Sequence, residues 1–133
     1  MGFNINMGCP GTDYVRLNLG CAAVKRVNLA NRILQAFKEH NYPISIKMRL
    51  GKDADEKRHK IYLRLLKDTD ADFYVIHARH GAQTSTSPAD FSVYPECVAT
   101  GKIIIANGDI ETTQQIKLVQ DMGVSGVMLG RAA

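Results

Sequence analysis

The chain contains no apolar run approaching the roughly 20 residues that a membrane span needs, and no charged start leading into an apolar signal core. Those absences argue against helical membrane spans and export, and they predict a soluble, cytoplasmic protein. Cysteine is scarce: Cys9, Cys21 and Cys97 are three in number, with no Cys-x-x-Cys pair among them. An odd, scattered set fits neither a disulfide framework nor a structural zinc site, and free thiols suit a reducing compartment. His77 and His80 have no cysteine or carboxylate at ligand spacing, so no metal is expected. A strong charge of one sign is also missing. The balance of 17 basic and 13 acidic residues, +4 in all, permits an anionic partner but falls short of a charge-driven nucleic-acid binder. No low-complexity tract or linker divides the 133 residues, and 45% hydrophobic content is enough for one core.

What the chain does have is alternation. Short runs rich in Ile, Val and aromatics occur at 2–7, 44–50, 73–77, 102–106 and 126–129, and longer helix-like segments lie between them. Helices are predicted near 28–40, 55–67 and 112–122. In the first, Ile33, Leu34 and Phe37 recur at helical spacing behind Asn28 as a candidate N-cap. The stretch 81–89, with Thr84, Ser85, Thr86, Ser87 and Pro88, predicts a loop, and a short helix is expected over 91–99. Strands alternating with helices predict an α/β fold of about five parallel strands, a partial TIM (β/α)8 barrel.

Each strand-like run ends in polar chemistry. Asn6 and Cys9 follow the first, Lys47 and Arg49 lie on the second, and His77 and Arg79 close the third. Asn107, Gly108 and Asp109 close the fourth, and Gly130 and Arg131 close the last. In parallel α/β folds the C-terminal strand ends share one mouth, where ligands gather. Cys9, held between Gly8 and Pro10 in a tight turn, is placed for chemistry, whereas Cys21 and Cys97 read as small buried residues. Gly108 and Gly130 would let backbone amides approach an anion, with Arg131 adding charge. Lys47 is a cation on an apolar strand, and a charge there must be paired or must face a ligand. The basic run 52–60 reads as a solvated helix face, and His40, His59 and His80 as structural or solvent-facing.

Five motifs in order carry a resemblance. They are Asn6-Met7-Gly8-Cys9-Pro10, Lys47-Met48-Arg49-Leu50-Gly51, His77-Ala78-Arg79, Ala106-Asn107-Gly108-Asp109-Ile110 and Gly126-Val127-Met128-Leu129-Gly130-Arg131. Together they resemble the flavin-dependent tRNA-dihydrouridine synthases, over the fourth to eighth strands of that family's barrel. The resemblance implies FMN at the barrel mouth, NADPH as reductant and uridine in tRNA as substrate. It implies Cys9 as the general acid toward uracil C5, a role that suits a thiol, which is ordinarily protonated near neutrality. It places Lys47, His77, Asn107, Gly108, Asp109, Gly130 and Arg131 around the flavin, with Asn6, Arg49 and Arg79 toward substrate.

The resemblance also implies that residues 1–133 form the C-terminal part of an FMN-binding barrel domain, without the family's helical tRNA-binding domain. The family's first-strand flavin contacts and third-strand glutamine have no counterpart, and 11–23 departs from its glycine- and alanine-rich loop, keeping only Gly20, Ala22 and Ala23. Two other readings stay open. One is a further FMN barrel oxidoreductase, similar to the dihydroorotate dehydrogenases, which share an Asn-x-x-Cys-Pro turn. The other is a non-catalytic α/β fragment with degraded flavin binding, self-associating through open sheet edges.

Overall fold

Alternating apolar residues on five short runs build one all-parallel sheet, ordered as in the chain: β1 (Phe3–Met7), β2 (Ile44–Met48), β3 (Tyr74–His77), β4 (Ile104–Asn107) and β5 (Gly126–Met128). The computed structural model describes residues 1–133. Between the strands lie α1 (Thr12–Arg16), α2 (Val27–Lys38), α3 (Ala54–Arg58), α4 (Ile61–Asp68), α5 (Tyr94–Val98) and α6 (Thr113–Asp121). Short 3-10 helices occupy Gly20–Lys25 and Phe91–Val93. No helix is long and apolar enough to cross a membrane.

Register divides the sheet into two unlike faces, because paired residues in neighbouring strands point the same way. One face carries Met7, Ile46, Met48, Tyr74, Ile76, Ile104 and Ala106. These side chains are buried in a single core with Val27, Ala30 and Leu34 of α2, Leu65 and Leu66 of α4, Cys97 of α5 and Val119 of α6. Burying each large apolar side chain contributes about 1.5–3 kcal/mol, so this face holds the fold together. The other face carries Asn4, Asn6, Ser45, Lys47, Val75, His77, Ile105 and Asn107, none of which belongs to that core. An all-parallel sheet with its packed helices on one face is the wall of a (β/α) barrel. The fold is therefore α/β and consistent with a partial TIM barrel.

Three local expectations need correction. Asn28 does not cap α2: the helix begins at Val27, Arg26 stands at the cap position, and no side chain there accepts a backbone hydrogen bond. The helix expected over 55–67 is two helices, broken where Lys60 adopts the left-handed conformation at φ 53°. Asp53 caps the first by accepting from the Glu56 amide at 2.9 Å, and Lys60 Nζ reaches Glu96 Oε2 at 2.5 Å. These contacts override a helical propensity that is only a weak prior. They also correct the solvated basic face, because Lys57 Nζ is held 2.6 Å from Asp90 and is only 26% exposed. The last helix behaves as its sequence suggests, with Thr112 and Gln115 forming a reciprocal capping box.

Candidate functional site

The ends of β3, β4 and β5 are built around His77 and the turn that follows Asn107. Gly108 (φ +100°) and Asp109 (φ +52°) turn the chain in successive left-handed steps, and a Cβ on Gly108 would lie 3.0 Å from His77 Cε1. Only glycine lets this turn rest against the imidazole. His77 Nδ1 is buried and has no hydrogen-bond partner. Burial, followed by the charges of Arg49, Lys47 and Arg79, lowers the His77 pKa to about 4, so its ring is neutral near pH 7.

The Asp109 carboxylate organises this end. It accepts from Arg79 Nη2 at 2.5 Å and from the Ala89 amide at 2.8 Å, and it lies 3.5 Å from Arg131 Nη2. Burial pushes its carboxyl up, but those hydrogen bonds and the two guanidinium charges outweigh burial and hold it below the usual carboxylate range. Arg79, expected toward substrate, is only 3% exposed. Its guanidinium is turned inward, to Asp109 and to the carbonyls of Ser87 at 2.6 Å and Ser85 at 3.2 Å. Asn107 Nδ2 donates to Met128 O at 2.8 Å, tying β4 to β5. His77, Arg79, Asn107, Gly108, Asp109, Gly130 and Arg131 line one cavity of about 220 Å³. A Cβ at Gly130 would meet nothing within 4 Å, so packing does not require glycine there.

The ends of β1 and β2 are assembled differently. Asn6 Oδ1 accepts from the Gly8 amide at 3.0 Å and so shapes the turn into Cys9. The segment after it folds back: the Cys9 carbonyl accepts from the Cys21 amide at 2.9 Å. Gly20 (φ +56°) permits this, since a Cβ there would fall 2.2 Å from the Cys9 carbonyl oxygen. Cys9 is partly exposed, and with Asn6, Tyr14, Leu19, Leu29 and Ile33 it lines a mostly apolar cavity of about 350 Å³. Lys47 registers beside Asn6, between β1 and β3. Its pKa is lowered by burial and then by Arg49, with no carboxylate acting on it. Arg49 Nη1 donates to the carbonyls of His80 at 3.0 Å and Gln83 at 3.2 Å, bracing the loop over 81–89.

The structure thus brings seven predicted residues together in one cavity and two, Asn6 and Cys9, in another, while Lys47 and Arg49 line neither. It also shows supports that sequence reasoning missed. The buried Tyr94 hydroxyl lies 2.9 Å from the Asn107 carbonyl oxygen and accepts from the Asn107 amide at 3.1 Å. Cys21 is fully buried, and a Cβ on Gly81 would lie 2.3 Å from its sulfur, so the loop after β3 closes onto the loop after β1. The usable signal was chemical: a tyrosine in a predicted core helix needs a partner for its hydroxyl.

Chemically, the first cavity combines the exposed Arg131 guanidinium, a glycine turn and a buried imidazole nitrogen that lacks a partner, a set able to meet an anion, with Asp109 and Glu111 on the same lining. The second is an apolar groove between β1 and α2, with Ile5, Met7, Ala23, Leu29 and Ile33 beside the Cys9 thiol. A sequence model of the family described as dihydrouridine synthase (Dus) matches residues 1–133. Among curated relatives, tRNA-dihydrouridine synthase B of Xanthomonas campestris pv. campestris is 33% identical over 133 residues, covering 98% of this chain and 40% of that protein. Probable tRNA-dihydrouridine synthase 2 of Bacillus subtilis is 36% identical over 138 residues, covering 98% and 42%. The chain spans about 40% of the length of the relatives it matches.

Proposed function

Because this chain belongs to the dihydrouridine synthase family, we propose that its protein reduces the 5,6 double bond of uridine in tRNA, using FMN and NADPH. The observation that carries this reading is the His77 cavity, whose buried unpartnered Nδ1 and glycine turn fit a flavin phosphate. Arg131 and the Gly108 and Gly130 turns would bind the phosphate oxygens. Asp109 would act by holding Arg79 and Arg131 in place, since both its oxygens already face guanidinium groups. Lys47, half-buried and without a carboxylate beside it, would meet the flavin ring. When bound, the flavin supplies the hydride that NADPH provides and uracil C6 receives.

The remaining proton belongs to this chain. Cys9 would donate it from Sγ to uracil C5, so that hydride at C6 and proton at C5 together saturate the double bond. Asn6, which shares the Cys9 cavity, would orient the uracil. Residues 1–133 would then supply the part of an FMN-binding barrel domain that holds the phosphate end and the acid.

Two measurements test the reading in the full-length protein carrying this sequence. Its visible spectrum should show bound flavin. Cys9→Ala should lower dihydrouridine formation by about 10²–10⁴-fold, while NADPH-driven flavin reduction continues. A colourless protein that gains no absorbance on FMN titration would remove the flavin assignment, and near-normal dihydrouridine yield from the variant would remove Cys9 as the acid.

A further inference from the structure

Outside both cavities described above, four basic side chains from the start of α2 and from α4 converge on one cleft. Lys25, Arg26, Arg32 and Arg64 line a cleft of about 360 Å³ whose other walls are Val27, Asn28 and Leu29, with no carboxylate among them. Only part of this charge is neutralised. Lys25 Nζ lies 3.3 Å from Glu56 and Arg64 Nε lies 3.5 Å from Asp68, while Arg26 donates to the Asn18 carbonyl at 3.3 Å. Arg32 has no ion-pair partner and is exposed. Three arginines converging on one cleft favour phosphate, which their planar donor forks match.

The position of the cleft says which phosphate. α2 begins directly after the 3-10 turn that folds back against Cys9, and Leu29 lines both the basic cleft and the Cys9 cavity. A polymer that delivers a base to Cys9 has its backbone beside that base, and the 3-10 segment bonded to the Cys9 carbonyl through the Cys21 amide leads directly into this cleft. We propose that the cleft of Lys25, Arg26, Arg32 and Arg64 docks the sugar-phosphate backbone of the RNA whose uridine meets Cys9. The inference rests on the uridine-reducing reading above and adds the surface by which this chain holds its substrate. Exposed guanidinium groups act here on affinity rather than on the chemical step, because none of them lines a cavity with Cys9.

The test uses the full-length protein, unmodified tRNA and a salt series. Replacing Arg26, Arg32 and Arg64 together by Gln should weaken tRNA binding about tenfold or more near 0.1 M KCl, and reduce the slope of log Kd against log[KCl] by about 2. Flavin absorbance and melting temperature should stay at wild-type values. The single change Arg32→Glu, at the residue with no partner to lose, should weaken binding in the same direction, whereas Lys117→Gln on α6 should not. Polyuridylate should compete with tRNA at the cleft, and inorganic phosphate at equal phosphate concentration should not. Unchanged affinity and slope in the triple variant, with wild-type protein still making dihydrouridine, would overturn the cleft and leave the enzymatic reading intact. Competition by inorganic phosphate equal to that by polyuridylate would assign the cleft to a free anion and overturn it too. A wild-type protein that neither binds tRNA nor reduces uridine would remove the enzymatic reading, and this inference with it.

Discussion

At the ends of β3, β4 and β5 most polar side chains are tied to one another: Arg79 to Asp109, Asn107 to Met128, Tyr94 to Asn107. At the ends of β1 and β2 Asn6 and Arg49 are bonded to backbone only, Lys47 has no carboxylate beside it, and Cys9 is partly exposed. On the proposed function, the difference follows from what each end would do. An anion is held by fixed charges set in advance, and their pairing with one another costs the fold little. A reacting pair needs groups whose partners arrive with the ligand. The ends of β3, β4 and β5 should therefore carry stability, and the ends of β1 and β2 should cost some.

Removing Arg79 would break the comparison most severely. Its guanidinium is almost wholly buried, and Arg79→Ala would strip Asp109 of its closest partner and leave the carbonyls of Ser85 and Ser87 unmet. Asp109, 28% exposed, can be hydrated when the arginine is gone, so the loss costs about 1.5–3 kcal/mol, the scale of a hydrogen bond to a charged group, which urea unfolding would register as a clear drop in midpoint. Lys47→Met should do the reverse, leaving stability unchanged or raising it by up to about 1 kcal/mol, because it deletes a half-buried cation that no carboxylate offsets. A destabilised Lys47→Met protein, or an Arg79→Ala protein of wild-type midpoint, would show that the two ends do not differ as argued.

How much of this was legible in the sequence differs from end to end as well. All five strands stand where alternation of apolar runs put them, and the polar residues at their ends fall on one edge of the sheet. Those features are local, set by period and by turn residues. The inward turn of Arg79 was not legible, because its partner lies 30 residues away and either arginine of that edge looks equally free in the sequence. Nor was the break at Lys60, since a left-handed lysine is held there by Glu96 from another helix. The segment after Cys9 lacks a strong period, yet folds into α1 and a 3-10 turn because Gly20 allows the chain to return to the Cys9 carbonyl. Local order was readable, and long-range pairing was not.

Acid should sharpen the comparison at the ends of β3, β4 and β5. The folded His77 pKa of about 4 lies below the ordinary 6.5, so the unfolded chain takes up a proton first as pH falls. Stability from the neutral ring is complete above about pH 6.5 and is lost progressively toward pH 4, at some fraction of the limiting ~1.4 kcal/mol per pH unit for one proton. His80 is shifted in the same direction by burial and then by Lys57, so His77→Gln should flatten the slope without abolishing it. Urea midpoints between pH 7.5 and pH 5 would measure this, and parallel profiles for wild type and variant would mean that His77 is not held neutral by its surroundings.

The smallest effect separates two arginines that share one carboxylate. Arg131 faces Asp109 at 3.5 Å but is 67% exposed, so its ion pair contributes at most about 1 kcal/mol to the fold. If the cavity takes a flavin phosphate, Arg131 is the guanidinium still free to turn toward it, because Arg79 is committed inward. Arg131→Ala should then leave the unfolding midpoint nearly unchanged and weaken FMN binding about tenfold, the scale of one charge-assisted hydrogen bond. Lys117→Ala, an exposed lysine on α6, is the matched loss of charge and should leave flavin affinity at the wild-type value. Flavin titration ranks the two. Equal affinities would take the Gly130-Arg131 turn out of the phosphate site, and would leave Arg79 and Asp109 as a structural pair with no ligand to organise.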